Sequence, residues 1–144
     1  MFRKIVVAYN ESHESERALI AAIKLAKALN AELHAITAMA ALPAYTAFAQ
    51  AADSSARRLL EDDQVKFYNT LQQKARALAQ QHESELQCHL TEGHEVNAIV
   101  DFLRAQRADL LVVGLHQRDL YIARLWSTVY ELAQEAPCSV LGVH

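Results

Sequence analysis

Four apolar residues, Leu110, Leu111, Val112 and Val113, run without interruption from Asp109 to Gly114. A run that short, stopped by a glycine, predicts a strand buried on both faces, as in a parallel sheet covered by helices. Residues 4–9, KIVVAY, form a second run of the same kind, ended by Asn10, Glu11 and Ser12. Ser12 is suited to cap a helix, and Glu14 and Glu16 put negative charge in its first turn, where the helix dipole favours it. Leu19, Ala22, Ile23, Ala26 and Leu29 fall on one helical face, with Arg17, Lys24 and Lys27 off it. Asn30 ends this helix, and ELHAITA supplies a strand that completes a βαβ unit.

Residues 40–56 are alanine-rich, interrupted by Pro43 and without a clear period, which predicts a long connection. A helix follows over about residues 57–82, with Leu60, Gln64, Phe67, Leu71, Ala75 and Leu78 as its inner stripe. Residues 85–90 alternate, Leu86, Cys88 and Leu90 against Glu85, Gln87 and His89, as an edge strand with one polar side does. Gly93 turns the chain into a helix carrying Val96, Ile99, Val100 and Leu103. The last helix, residues 128–135, opens on a capping box of Thr128 and Glu131, and Pro137 stops it before a final strand, CSVLGVH. The expected architecture is one α/β domain over residues 1–144. It is a doubly wound five-stranded parallel sheet, strand order 3-2-1-4-5, with helices on both faces.

Composition narrows the function. A net charge of −3 argues against nucleic acid, which calls for a basic face. The uncharged stretch over residues 35–52 contains Pro43 and mostly alanine, so no membrane span is expected, and the N-terminus does not read as a signal peptide. Cys88 and Cys138, fifty residues apart in strand-like contexts, read as reduced thiols of a cytoplasmic protein.

In a doubly wound sheet a ligand sits beyond the carboxyl ends of the strands, where strand order reverses. Here that crevice falls between Asn10, Glu11 and Ser12 on one side and Gly114, Leu115, His116 and Gln117 on the other. The loop from Gly114 to Thr128 forms one wall, and a helix starting at Ser127 and Thr128 offers its N-terminus to an anion. These residues make the chain resemble the universal stress protein family. Residues 4–36, from KIVVAYNESHE to AELHAI, and GHEVNAIVDFLRAQRADLLVVG match that family's opening strand, helix and second strand and its third helix and fourth strand.

Nucleotide-binding members carry glycine, two residues, glycine, nine residues, then glycine and Ser or Thr. The matching positions here are Gly114, Gln117, Ser127 and Thr128, so two of three glycines are replaced. At the end of the first strand, where such members carry aspartate, stands Asn10, followed by Glu11 in place of glycine. Glycine serves where phosphate lies against bare backbone or φ is positive, and Asn10 forfeits the charge-assisted part of a hydrogen bond. The Gly-Leu-His-Gln sequence resembles the universal stress protein A-like branch, regarded as not binding ATP. The resemblance therefore implies a non-catalytic stress-response module with a degenerate nucleotide site and no cofactor. The alternative is an ATP- or ADP-binding member, slow in hydrolysis or inert, using Asn10, Gly114, Ser127 and Thr128.

His116, Asp119 and Ser127 lack a nucleophile-elbow pattern and read as loop polarity. His34, His89 and His94 lack zinc-ligand spacing and read as surface histidines. Arg118 and Arg124 read as solvated rather than phosphate-bound charges, and Trp126 fits either a core cap or a crevice cover. The final strand has little polarity and nothing after it in the sequence, so its outer edge is open to pairing. Two copies would join antiparallel through residues 138–143, burying Val140 or Leu141 with Val143, and the family resemblance also implies homodimers.

Overall fold

The computed structural model describes residues 1–39, 54–116 and 128–144. The expected connection at residues 40–56 therefore lies, but for its last three residues, outside the described residues. Five strands, β1 (Lys4–Ala8), β2 (Glu32–Met39), β3 (Gln87–Glu92), β4 (Leu110–Gly114) and β5 (Ser139–Val143), form one sheet in the order β3-β2-β1-β4-β5. Every pairing is parallel, with Ile5 opposite Leu33 on one side and Leu110 on the other. Among the described residues, four helices connect them: α1 (His13–Leu29), α2 (Ser54–Gln81), α3 (Glu95–Gln106) and α4 (Thr128–Glu135).

The two faces of the sheet bury separate cores. On one, Ile5, Val7 and Val112 pack against Leu19 and Ile23 of α1 and Leu71 and Ala75 of α2. On the other, Val6, Leu111 and Val113 meet Ile99 and Leu103 of α3 and Leu132 of α4. Consecutive residues of β1 and β4 thus point into different cores, which is why both read as unbroken apolar runs. Asp109 ties the starts of these strands together: its Oδ2 accepts from the backbone N–H of Arg3 and of Lys4, each at 2.8 Å. Those two donors hold its carboxyl below the ordinary range.

Local signals set most boundaries. Ser12 caps α1, accepting from the N–H of Ser15, and Asn30 closes it in the left-handed conformation at φ 51°. Gly93 takes φ +115° between β3 and α3. Three expectations are corrected. Strand β3 begins two residues later than expected, at Gln87. Thr128, expected as a cap, is already the first residue of α4. On α2, Phe67 is exposed, and Tyr68 joins Leu71, Ala75 and Ala79 in the core instead. Cys88 in β3 and Cys138 beside β5 stand at opposite edges of the sheet, and both are free thiols.

Candidate functional site

Beyond the carboxyl ends of β1 and β2 lies a cleft of about 430 Å³. That is within the usual size for a small-molecule site. Asn10 and Glu11 follow β1, Thr37, Ala38 and Met39 end β2, Gly93 to Val96 open α3, and Thr128 and Glu131 begin α4. Tyr68 of α2 completes the lining.

The wall after β1 is fixed by a compact set of hydrogen bonds. Ser12 N–H donates to Asn10 Oδ1 at 2.8 Å, while Ser15 Oγ donates to the Asn10 carbonyl at 2.8 Å and accepts from its N–H at 3.1 Å. An N–H needs an acceptor, so the Asn10 side chain turns its oxygen to Ser12, and its Nδ2 donors take no part in that bond. An aspartate here would offer a second acceptor oxygen instead. Beneath, the buried Thr37 hydroxyl donates to the Tyr9 carbonyl at 2.8 Å, so it braces β1 on β2.

The described lining is acidic. Glu11, Glu95 and Glu131 all border the cleft, and no lysine or arginine does among the described residues. The side chain of Glu95 reaches solvent, yet its carboxyl is flanked by enough protein to matter. Burial pushes its pKa above the ordinary value of 4.5, Glu11 adds to the rise, and His94 partly offsets it. His94 occupies the cap position of α3 without a side-chain capping bond, so the first N–H groups of that helix are not satisfied by it.

The expected site residues divide. Asn10 and Thr128 border the same cleft. Gly114 is not among its lining. A Cβ at Gly114 would overlap the backbone carbonyl of Glu14, so this glycine is required by the close approach of α1 to β4. Nearby, His116 Nδ1 lies 3.8 Å from Glu14 Oε1. Gln117, Arg118, Asp119, Arg124, Trp126 and Ser127, with the loop wall they belong to, lie outside the described residues. Sequence reasoning missed Thr37, Met39 and Tyr68, and it read the turn at Gly93 without placing it in the cleft. The signal for the last was present, since Gly93 directly precedes a helix at the carboxyl end of a strand.

A family model described as the universal stress protein family matches residues 1–144. The chain belongs to the universal stress protein family. Solved universal stress proteins share its fold. One, a universal stress protein in complex with cAMP, is 26% identical, covers 99% of this chain and 97% of its own, and superposes with a TM-score of 0.77. Universal stress protein UspA from Lactobacillus plantarum is 20% identical over 99% of this chain and 98% of its own, with a TM-score of 0.76. The universal stress protein from Archaeoglobus fulgidus in complex with dAMP is 17% identical over 99% and 98%, with a TM-score of 0.73. At those identities the last two bear on fold alone. A search of curated proteins yields no match.

Proposed function

We propose that this universal stress protein is a cytoplasmic, homodimeric stress-response module without turnover chemistry, whose cleft disfavours nucleoside triphosphates. The observation that carries this reading is the charge of the cleft. Glu11, Glu95 and Glu131 border it, and the described lining offers no lysine or arginine in return. At an effective dielectric near 20, a carboxylate about 10 Å from a phosphate costs roughly 1–2 kcal/mol. The N-termini of α3 and α4 each return about 0.3–1 kcal/mol. Three such carboxylates add up on the same side, and salt weakens their repulsion. The replacement of two of the three family glycines, at Gln117 and Ser127, supports the same reading.

A second reading has its own support. The relative at 26% identity was crystallised with cAMP, whose single negative charge suffers much less from the same carboxylates. Melting the protein with saturating Mg-ATP and, separately, with cAMP tests both. A ligand at 100 times its dissociation constant adds about 2.7 kcal/mol, several degrees in Tm. No shift with either is the expected result. A shift with Mg-ATP overturns the proposal, and a shift with cAMP alone selects the second reading.

A further inference from the structure

His34 is not a surface residue. It stands in β2 with β1 on one side and β3 on the other, and only 2% of it is exposed. Its Nε2 lies 2.9 Å from Glu32 Oε1 and its Nδ1 lies 2.8 Å from His89 Nε2 on β3. The two imidazoles are stacked, with centroids 5.1 Å apart, and Phe102 of α3 closes over His89 at 4.7 Å.

The chemistry of these groups fixes where the protons sit. A carboxylate only accepts, so His34 Nε2 carries a hydrogen toward Glu32. In neutral His34 the Nδ1 is then bare, and His89 Nε2 must donate to it. The first added proton goes to His89 Nδ1 and leaves both hydrogen bonds intact. A second must go to His34 Nδ1, where it sets donor against donor at 2.8 Å with two cations stacked.

The surroundings do not soften that outcome. Besides Glu32, β1 contributes Lys4, 3.6 Å from Glu32 and of the same sign as the added protons. Gln87 of β3 reaches Glu32 at 3.4 Å and carries no charge. From α3 the contact is the Phe102 ring, while its Asp101 and Arg104 are exposed and pair with each other.

We propose that His34 and His89 form a proton-operated latch that holds the edge strand β3 on the sheet at neutral pH and releases it on acidification. Strand β3 runs directly into Gly93 and His94 of the cleft, so a loosened edge also disturbs that wall. The latch does not depend on what the cleft binds. Burial and the neighbouring His34 already hold His89 below its ordinary value of 6.5. An unfolded chain takes a proton on each histidine near that pH, while the latched pair keeps its geometry with no more than one. The unfolded state therefore binds more protons below 6.5. The latch's contribution is complete above that pH and is lost as pH falls.

The test compares the wild-type chain with His89→Gln between pH 7.5 and 5.0. Glutamine donates from nearly the same place but turns over to accept when His34 is charged, so it holds β3 in either state. Two readouts are followed: Tm, and amide-exchange protection of Leu90 and Thr91, the β3 residues opposite Thr37 and Ala38. Wild type should lose several degrees more than the variant on acidification, and protection in β3 should fall at least tenfold while β1 keeps its own. Equal pH slopes in the two proteins overturn the latch. So does full β3 protection in wild type at pH 5.0 with both rings charged by NMR, a result that stands even if the variant fails to fold.

Discussion

Gly114 shows how one missing Cβ can serve a purpose that the sequence does not announce. From sequence it ends a buried strand and heads a spaced set of phosphate-cradle positions, and both statements rest on glycine's missing Cβ. The fold uses that missing atom against its own chain, because the backbone of Glu14 fills the space. Gly114→Ala is therefore a packing lesion. It should cost about 1–3 kcal/mol by denaturant titration, the usual range for overpacking against groups that cannot move away. A loss below about 0.5 kcal/mol would show that α1 shifts freely and that the glycine is not needed for its seat. His34 was misplaced for a different reason. Read alone, a histidine suggests surface, but it lies between Leu33 and Ala35 in a strand with neighbours on both sides, where residues 33–37 are all buried. Its strand assignment already contained the burial; only its partner on β3 was invisible, because strand register is a tertiary fact.

At the scale of elements, the periods and stop signals of the sequence placed the strands and helices, since Ser12, Asn30 and Gly93 act through local backbone geometry. The inner face of α2 was less legible. At 28 residues it is about 42 Å long, far beyond the reach of strands of five to eight residues, so its early turns have no sheet to cover. Leu59, Val65 and Phe67 are exposed there, while Tyr68, Leu71, Ala75 and Ala79 make the stripe that touches the core. An apolar residue count cannot tell which end of a helix overhangs. The contrast is measurable in neighbouring residues. Tyr68→Ala should cost about 3 kcal/mol of stability, as aromatic truncations in cores do, and Phe67→Ser should stay within about 0.5 kcal/mol. Equal losses in urea titrations would mean that Phe67 is covered after all.

For the whole molecule, the layout of the sheet leaves β3 and β5 as its two edges. Strand β3 is overlaid by Phe102 on one side and packs Cys88 against the α1 and α2 core on the other. Strand β5 has β4 as its strand partner, and its Leu141 is 40% exposed, close to the 38% of Leu90 on β3. An uncovered edge offers backbone donors and acceptors to a second copy, and a twofold axis would let the same edge meet itself in antiparallel pairing. This is the assembly proposed above, and the fold shows how to test it cleanly. Val140 packs on the α3 and α4 core and Val143 on the α1 and α2 core. A charge at either would weaken the protomer itself, and loss of a dimer would then prove nothing. Leu141 has no such entanglement, because much of its side chain already faces outward. Leu141→Glu puts two like charges near the proposed axis while leaving each core whole. Sedimentation should find a dimer for the wild-type chain and a monomer for the variant, with urea midpoints of the monomeric variant showing no core defect. A dimer that survives Leu141→Glu unchanged would mean that the copies meet through another surface.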